Sequence, residues 1–497
     1  MKTIAHWING RPQDSQSGRS GSVFNPATGE ETATVAFASI EETNAAVAAA
    51  KAAFPGWRDT SISKRMQVMF HFRDLLEECR DELAEIVSAQ HGKTLPDARG
   101  EVQRGIETVE FSCGIAQLLK GDNSPQVSTG VDLSSVREPL GVVGCVTPFN
   151  FPVMVPLWMI PVAIACGNTV VLKPSEKDPS AALRLAELFS QAGLPDGVLN
   201  VLQGDRIAVE RLIEHPDVAA LSFVGSTPVA RAIYEGGTRA GKRVQALGGA
   251  KNHMLVLPDA DLELSADSAV SAAFGSAGER CMAISVLVAV GDVADRLIPL
   301  IEDRIDKLQI GSAQSADSDM GPLITKEHQA KVVECIDSGV EEGATLLRDG
   351  RSIRVEGCGE GYFVGPTLFD NVTTEMRIYR DEIFGPVLAV IRAEQFTEAI
   401  EIINNNPYAN GTAIFTNDGG AARRFQREIQ VGMIGINVPI PVPLGFYSFG
   451  GWKASLFGSN SIYGPEGVNF YTRGKVTTTR WPDPVHRGVN LGFPRSS

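Results

Sequence analysis

The chain has 497 residues, of which 43% are hydrophobic and 21% are charged, as is typical of a globular protein with two or three domains. Its 45 basic and 59 acidic residues give a formal net charge of −14, which argues against a general nucleic-acid-binding surface. The seven cysteines lie singly, without a C-x-x-C pair, and no residues have metal-ligand spacing. We therefore expect reduced thiols, a cytoplasmic location, no nucleic-acid partner and no metal site.

The first hundred residues carry helical signals. Ser39 and Glu42 have capping-box spacing before the alanine-rich run "ASIEETNAAVAAAKAAF". Residues 61–90 continue with apolar side chains at helical spacing. We expect this part of the chain to be helical.

Between residues 140 and 260 the pattern changes to short apolar strands that alternate with helices. Runs such as "GVVGCVTP", "NTVVLKPS" and "ALSFVGS" predict a parallel sheet that is covered on both faces and binds ligands at the carboxyl ends of its strands. The stretch "FPVMVPLWMIPVAIACG" is interrupted by prolines, which predicts a buried helix and no membrane association. A second series, "SVLVAVGD", "GPVLAVIRA" and "GTAIFTND", predicts a second α/β domain.

Two further segments, "PQVSTGVDLSSVREP" and "NFYTRGKVTTTRWPD", alternate more loosely and are rich in Thr, Ser and Val. This pattern predicts half-exposed strands. Because exposed strand edges invite pairing with another chain, we interpret the two segments as an oligomerisation arm.

One cysteine has an unusual setting. Cys281 follows Arg280 at the end of the small-residue loop "GSAGER", so its sulfur is sparsely shielded and a cation lies next to it. Asn150, in "VTPFNFP", lies at the end of a predicted strand, where its amide could hold a carbonyl oxygen that gains charge. Taken alone, the two stretches are better explained by an ordinary buried cysteine and a turn asparagine.

Three more stretches have the character of a nucleotide site. In "LKPSE", Glu176 could accept hydrogen bonds from ribose hydroxyls and would repel a 2′-phosphate. "FVGSTPVARAI" predicts a strand, a turn and a helix whose first amides could bind a pyrophosphate. "DEIFGPV" places Glu382 before an apolar strand. Solvated charges and ordinary loop residues remain the alternative for each.

In this order and with these separations, "PFNFP", "KPSE", "FVGST", "GERC" and "EIFGPV" resemble the signature set of the aldehyde dehydrogenase superfamily. The resemblance covers nearly the whole chain and implies an α/β fold. It implies a Rossmann-type NAD domain (1–120 and 140–249), an α/β catalytic domain (250–462) and a β oligomerisation arm (121–139 and 463–497). It also implies NAD as the cofactor, and we expect a homotetramer.

In that superfamily a cysteine attacks an aldehyde to give a thiohemiacetal, which loses hydride and becomes a thioester. The resemblance assigns the nucleophile to Cys281 and the oxyanion donor to Asn150. The residues that it assigns to cofactor binding are Phe149, Lys173, Glu176, Lys177, Gly225, Ser226, Glu382 and Phe384.

The chain departs from the superfamily at the residue that activates water. Hydrolytic members carry a glutamate in a motif resembling E-L-G-G-K, whereas this chain has "QALGGAKNH", with Ala246 in the place we assign to that glutamate. A methyl group cannot accept a proton, so the thioester would wait for a thiol. The chain thus resembles the CoA-acylating branch of the superfamily, which implies coenzyme A as co-substrate.

Enzymes of this branch act on methylmalonate and malonate semialdehydes. The substrate loses CO2, and the products are propionyl-CoA or acetyl-CoA. The resemblance therefore also implies a place in valine or inositol breakdown. Two arginines match the positions that bind the substrate carboxylate, Arg280 and Arg104 in "GEVQRGIETVEF". On spacing alone, an ion pair with a neighbouring glutamate explains Arg104 better.

Three alternatives remain at this point. The first is a hydrolytic NAD-dependent semialdehyde dehydrogenase that uses Glu279 or a bound water in place of CoA. The second is a cysteine hydrolase with Cys281 and His253, which would need no cofactor. The third is a binding protein without activity on the same scaffold.

Overall fold

A computed structural model describes residues 2–315 and 317–481. Residues 482–497 of the predicted arm therefore lie outside the described residues. The helices are α1 (Ile40–Asp59), α2 (Ile62–Glu78), α3 (Arg80–His91), α4 (Leu95–Cys113), α5 (Met154–Ala165), α6 (Ser180–Gln191), α7 (Arg206–Glu214), α8 (Thr227–Arg239), α9 (Leu262–Phe274), α10 (Val293–Ile305), α11 (Lys326–Glu341), α12 (Arg377–Arg380), α13 (Phe396–Asn405), α14 (Gly419–Glu428) and α15 (Gly464–Tyr471), with short 3-10 turns at Ile115–Gln117 and Gly275–Gly278.

The strands, in chain order, are β1 (Lys2–Ile4), β2 (His6–Ile8), β3 (Arg11–Gln13), β4 (Ser20–Asn25), β5 (Glu30–Ala36), β6 (Asn123–Ser128), β7 (Val131–Pro139), β8 (Val142–Val146), β9 (Thr169–Lys173), β10 (Leu199–Val201), β11 (Val218–Val224), β12 (Arg243–Leu247), β13 (Asn252–Val256), β14 (Ile284–Val290), β15 (Thr345–Arg348), β16 (Thr367–Asp370), β17 (Val387–Ala393), β18 (Tyr408–Ala409), β19 (Gly411–Phe415), β20 (Met433–Ile436), β21 (Trp452–Lys453), β22 (Leu456–Phe457) and β23 (Thr472–Arg480). They form two large sheets, the two three-stranded sheets β23-β7-β6 and β1-β5-β4, and the two-stranded pair β18-β21.

The first large sheet has the order β22-β12-β11-β8-β9-β10-β2-β3. Strands β12, β11, β8, β9 and β10 are parallel, and every residue of β8 and β9 is buried. Most side chains of these strands are apolar, and separate hydrophobic clusters cover the two faces of the sheet. Parallel strands end together, so the loops that follow β8, β9, β11 and β12 meet at one edge.

The second large sheet has the order β15-β16-β17-β14-β13-β19-β20, and all its neighbours are parallel except β15. The third, β23-β7-β6, is antiparallel, and β23 pairs with β7 over their full length, from Thr472↔Pro139 to Arg480↔Val131. These two parallel-rich sheets and the antiparallel sheet confirm the predicted α/β fold class. The domain boundaries drawn from the sequence remain predictions.

Two local predictions hold and one is wrong. The Ser39–Glu42 capping box is present at the start of α1, and α5 is buried along its whole length. Residues 2–36, however, form five strands in place of the predicted helix. Four of the five are three to six residues long, and β2 is held by antiparallel pairing with the distant β10, so local periodicity gave no signal for them. Among the described residues, no helix is long and apolar enough to cross a membrane.

Candidate active site

The loop before Cys281 has an unusual backbone. Ser276, Ala277 and Gly278 all have left-handed φ angles of 54°, 52° and 73°. At Gly278 a Cβ would lie 2.2 Å from the main-chain oxygen of Gly385, so only glycine fits there. The strained turn brings Cys281, partly buried, to the junction between the two parallel sheets.

Two asparagines hold the main chain of Cys281. The Asn252 side-chain amide donates to the Cys281 carbonyl oxygen at 2.9 Å, and the Asn410 amide donates to the same oxygen at 3.0 Å. Asn252 also donates to the carbonyl of Ala283 and accepts from the amide of Gly411. The sequence analysis missed both residues, because an asparagine that binds distant main chain leaves no local pattern.

Asn150 lies beside this loop. Its side-chain amide donates to the Glu279 carbonyl oxygen at 3.1 Å, and its side chain is buried. Its own carbonyl accepts from the ammonium of Lys93 at 2.8 Å, and Lys93 is in turn paired with Glu101 at 2.6 Å. Glu101 accepts from the main-chain amide of Val153, at the entry to α5. A buried ion pair, which the sequence analysis also missed, therefore fixes the Asn150 turn.

The thiol of Cys281 is neutral at ordinary pH. Burial raises its pKa to about 12, the nearby Glu382 carboxylate adds to the rise, and the Arg280 charge opposes it least of the contributing groups. The thiolate-favouring effect expected of Arg280 is therefore small. The physical reason is that the Arg280 guanidinium is already paired with Asp97 at 2.7 Å.

Arg104 is also paired within the protein. Its guanidinium contacts Glu107 at 2.6 Å and donates to the carbonyl oxygens of Val442 and Pro443, each at 3.1 Å. The ion pair that spacing alone favoured is therefore present. Arg280 and Arg104 are held by Asp97 and Glu107, both on α4, and their joint contact with a substrate carboxylate remains a prediction.

The residues expected at the adenosine end of the cofactor are close together. Lys173 ends β9 and its ammonium lies 2.8 Å from a carboxylate oxygen of Glu176. Burial tends to raise the pKa of Glu176, but the charge and hydrogen bond of Lys173 outweigh it and hold that pKa below its usual range. A cleft of about 340 Å³ opens beside Glu176 and Lys177.

Gly225 and Ser226 lie at the next strand end. Gly225 follows β11, and its amide donates to the carbonyl oxygen of Leu247 at the end of β12. Ser226 is the N-cap residue of α8 but makes no side-chain capping bond. The first amides of α8 therefore face the edge where the loops meet and are available to an anion.

Phe149 and Phe384, from motifs that are more than 200 residues apart in the chain, meet edge to face. Their ring centroids are 5.9 Å apart with an interplanar angle of 90°. Phe384 has a left-handed φ of 57°, and its carbonyl lies 2.7 Å from Nε2 of His328. The structure thus brings two of the predicted cofactor residues into one aromatic pair.

Glu382 faces the glycine turn that follows β12. Its carboxylate accepts from the amide of Ala250 at 2.8 Å, and a Cβ at Gly249 would lie 2.2 Å from the same carboxylate group. Burial raises the pKa of Glu382. Lys251, which the sequence analysis missed, donates to the carbonyls of Ile378 and Asp381 and so holds the loop that ends in Glu382.

Ala246, the residue expected in the place of the general base, lies near the end of β12. Consecutive residues of a strand face opposite sides of a sheet. Ala246 packs in the cluster with Phe223 and Val244, whereas Leu247 packs in the cluster against which Cys281 lies. Ala246 and Leu247 therefore lie on opposite faces of the sheet, neither side chain can accept a proton, and the assignment of Ala246 to the glutamate's place remains a prediction.

Glu279 is fully buried, and its carboxylate lies next to Ile324 and two histidines. Its carboxylate accepts from the amide of Ile324 at 3.2 Å and lies 3.6 Å from His328 and 3.9 Å from His91. Burial raises its pKa well above the usual range. His253, the base of the alternative hydrolase, is buried in β13 and lies 3.3 Å from the hydroxyl of Tyr379; burial lowers its pKa to about 3. In residues 2–315 and 317–481, no group of three or more His, Cys, Asp or Glu could hold a metal ion.

The chain is similar to known proteins over nearly its whole length. Residues 13–477 match the aldehyde dehydrogenase family. A malonate-semialdehyde dehydrogenase of Pseudomonas aeruginosa is 55% identical over 496 residues, which are 99% of this chain and 100% of that protein.

Two solved structures are also similar. A methylmalonate-semialdehyde dehydrogenase of Oceanimonas doudoroffii has a TM-score of 0.96 and 52% identity, with 98% of this chain and 99% of that chain covered. A Sinorhizobium meliloti protein complexed with NAD has a TM-score of 0.97 and 49% identity, with the same coverage of 98% and 99%.

Proposed function

The chain belongs to the aldehyde dehydrogenase family, and from this premise we propose that it oxidises malonate and methylmalonate semialdehydes with NAD and passes the acyl group to coenzyme A. The observation that carries the proposal is the meeting of Cys281, Asn150 and Glu382 at one edge, with the methyl group of Ala246 in the place that the resemblance assigns to a general base. The names of the similar proteins supply the substrate class.

Cys281 is the nucleophile in this proposal. Its thiol first loses its proton to solvent, against the raised pKa. The thiolate then attacks the aldehyde carbon, a C–S bond forms, and the carbonyl electrons move to the oxygen. The Asn150 amide, which now donates to the Glu279 carbonyl, lies beside the Cys281 loop and supplies a hydrogen bond to that oxygen. The clamp of Asn252 and Asn410 on the Cys281 carbonyl keeps the sulfur in place during the attack.

The donor groups at the edge fit NAD. The free amides of α8 suit a pyrophosphate, and the carboxylates of Glu176 and Glu382 suit the hydroxyls of two riboses. A 2′-phosphate would be repelled by Glu176, which favours NAD over NADP. When bound, NAD supplies the acceptor for the hydride that leaves the thiohemiacetal carbon.

Loss of hydride re-forms the carbonyl and leaves a thioester on Cys281. The substrate carboxylate is then β to this carbonyl, so its C–C bond can break, CO2 leaves, and the electron pair passes to an enolate oxygen. Asn150 stabilises the enolate as it did the first oxyanion, and a proton then adds to the α carbon. The thiolate of CoA attacks the acyl carbon and Cys281 leaves as thiolate, which gives acetyl-CoA or propionyl-CoA.

The apolar side chains at the end of β12 support CoA as the acceptor, because the resemblance assigns Ala246 to the place of the general base. Hydrolysis of the thioester needs a base that activates water. Leu247 and Ala246 cannot act as one, and the carboxylate of Glu279 is turned towards Ile324 and two histidines. A thiol needs less activation than water, so transfer to CoA is favoured. The strongest alternative is hydrolysis, in which Glu279 would act through its histidine neighbours.

The proposal also includes a homotetramer and a cytoplasmic location. The exposed arm supports the association of copies. Strand β23 is nine residues long, and Val476 and Trp481 are 68% and 82% exposed on or next to it. A long exposed strand with apolar side chains is suited to pairing with a second copy. Measurement of the mass in solution tests this part.

The chemistry is tested by NADH formation from methylmalonate semialdehyde and NAD, with and without CoA. We expect a burst near one equivalent per subunit without CoA and steady turnover only with it. The matched variants are Cys281→Ser, which removes the burst, and Glu279→Gln, which keeps it. Full turnover without CoA that is lost in Glu279→Gln would establish the hydrolytic alternative, and no NADH in any mixture would refute the substrate.

A further inference from the structure

Tyr463 adopts a backbone conformation that is costly for a residue with a side chain. Its φ is 43° and its ψ is −172°. Such conformations persist only where the surroundings fix them, and they are concentrated at functional sites. Its carbonyl accepts from the hydroxyl of Ser448 at 2.9 Å and from the amide of Gly467 at 2.9 Å. Two hydrogen bonds to its carbonyl oxygen therefore hold the main chain of the strained residue.

The hydroxyl of Tyr463 and the guanidinium of Arg104 share one acceptor. The hydroxyl donates to the Pro443 carbonyl oxygen at 3.0 Å, and Nη2 of Arg104 donates to the same oxygen at 3.1 Å. The carbonyl belongs to the irregular stretch "PIPVPLG", in which alternate prolines have no amide hydrogen to bind neighbouring main chain. The hydroxyl is thus a fixed partner for this carbonyl.

The ring of Tyr463 has little freedom to move. It is 2% exposed and lies 5.3 Å from the ring of Trp158 and 6.3 Å from the ring of Phe449, measured between centroids. Trp158 belongs to α5, the helix that follows Asn150. Helix α4, which carries Arg104, packs closely on α5, since a Cβ at Gly105 would lie 2.7 Å from a methyl carbon of Leu157.

The charges of Arg104, Glu107 and Cys281 all act on the phenol of Tyr463. Burial raises the pKa of Tyr463, the Arg104 charge lowers it, and Cys281 and Glu107 raise it. The hydroxyl is therefore within electrostatic reach of both the nucleophile and the arginine expected to bind the carboxylate.

We propose that Tyr463 is a positioning residue for substrate selection, whose hydroxyl fixes the Pro443 carbonyl and thereby orients Arg104 towards the carboxylate of the semialdehyde. This inference rests on the proposed function. A guanidinium binds a carboxylate well only when its planar fork is correctly turned. Glu107 holds one nitrogen of Arg104, and the Val442 and Pro443 carbonyls hold another, so the orientation is set by three acceptors.

The test compares Tyr463→Phe with the unaltered protein on malonate semialdehyde and on propanal, which has no carboxylate, at saturating NAD and CoA. Loss of one buried hydrogen bond is worth about ten-fold in an equilibrium constant. We expect the KM for malonate semialdehyde to rise about ten-fold, with kcat for both aldehydes and the KM for propanal unchanged. Tyr471→Phe is the matched control, because the Tyr471 hydroxyl is buried without a hydrogen-bond partner among the described residues; it should change none of these constants.

The double variant Tyr463→Phe with Arg104→Ala shows whether the hydroxyl acts through the arginine. We expect its KM to equal that of Arg104→Ala, because effects on one interaction are not additive. An equal rise in KM for both aldehydes in Tyr463→Phe, or an unchanged KM for malonate semialdehyde, would overturn this inference and leave the proposed function standing. If Arg104→Ala leaves the preference for the carboxylated aldehyde intact, the proposed carboxylate site fails as well.

Discussion

The side-chain amide of Asn150 donates a hydrogen bond to the main-chain carbonyl oxygen of Glu279, 3.1 Å away and two residues before Cys281. Asn150 follows β8 of the first sheet, and Cys281 precedes β14 of the second. The bond therefore links the loops of two sheets at the point where the proposed oxyanion would form. The ammonium of Lys93, which binds the Asn150 carbonyl, holds the arrangement from the opposite side.

Replacement of Asn150 by alanine should slow the chemical step. Removal of one donor to an oxyanion typically lowers the rate about 100- to 1,000-fold. We expect a loss of that size in the NADH burst, measured by stopped flow without CoA. Asn168→Ala gives a poor control because its amide supports buried main chain, so the exposed Asn405→Ala, at the end of α13, is the appropriate comparison. A burst within about three-fold of the unaltered rate would contradict the role of Asn150.

The alkylation of Cys281 by iodoacetamide should remain slow at neutral pH in the protein without cofactor. Because the pKa of the thiol is raised to about 12, the thiolate fraction and the rate should increase about ten-fold per pH unit between pH 7 and 10 without levelling off. Mass spectrometry of the peptide that contains Cys281 distinguishes it from the other thiols.

Glu382→Gln should shift this profile to lower pH. The substitution removes the negative charge that helps to raise the pKa of Cys281, so the alkylation rate at any one pH should increase. Glu375→Gln is the control, since Glu375 is exposed and its carboxylate accepts a hydrogen bond from the hydroxyl of the neighbouring Thr374. A profile that levels off near pH 8 in the unaltered protein would show that the thiol is not shielded as described.

The ion pair between Lys93 and Glu101 should matter for stability far more than exposed pairs on the same helix. Both side chains are 0% exposed. Lys93→Met leaves the Glu101 charge without its partner and should lower the free energy of unfolding by about 3–5 kcal/mol. Arg99→Met removes the exposed pair between Arg99 of α4 and Asp81 of α3 and should lower the free energy of unfolding by less than about 1 kcal/mol. Urea unfolding measures the free energy of unfolding of both variants. Equal decreases in the two would refute the distinction between the buried and the exposed pair.

Much of the fold could be predicted because its signals are local. The apolar runs of β8, β9 and β11 and the turn residues that end them indicated parallel strands, and the Ser39–Glu42 spacing placed the start of α1. The short strands of residues 2–36 could not be predicted in this way. They owe their form to pairing, such as that of Val201 with Trp7, which no local pattern reveals.

The candidate site divides in the same way. The sequence by itself determined the order and spacing of the motifs that contain Asn150, Cys281 and Glu382, and parallel strands bring their ends together for a general geometric reason. It did not determine which face of the sheet each residue at the end of β12 occupies, because a shift of one residue along a strand reverses the face; the structure places Ala246 and Leu247 in different hydrophobic clusters.

Only the tertiary structure identified the residues that hold the site. Asn252, Asn410 and Lys93 bind main-chain groups that lie 29, 129 and 57 residues away in the chain. A buried amide or ammonium must satisfy its hydrogen bonds with whatever the fold places next to it, so the partner is decided by packing rather than by neighbouring residues. The chemistry of the site follows from the sequence, and its alignment follows from these long-range contacts.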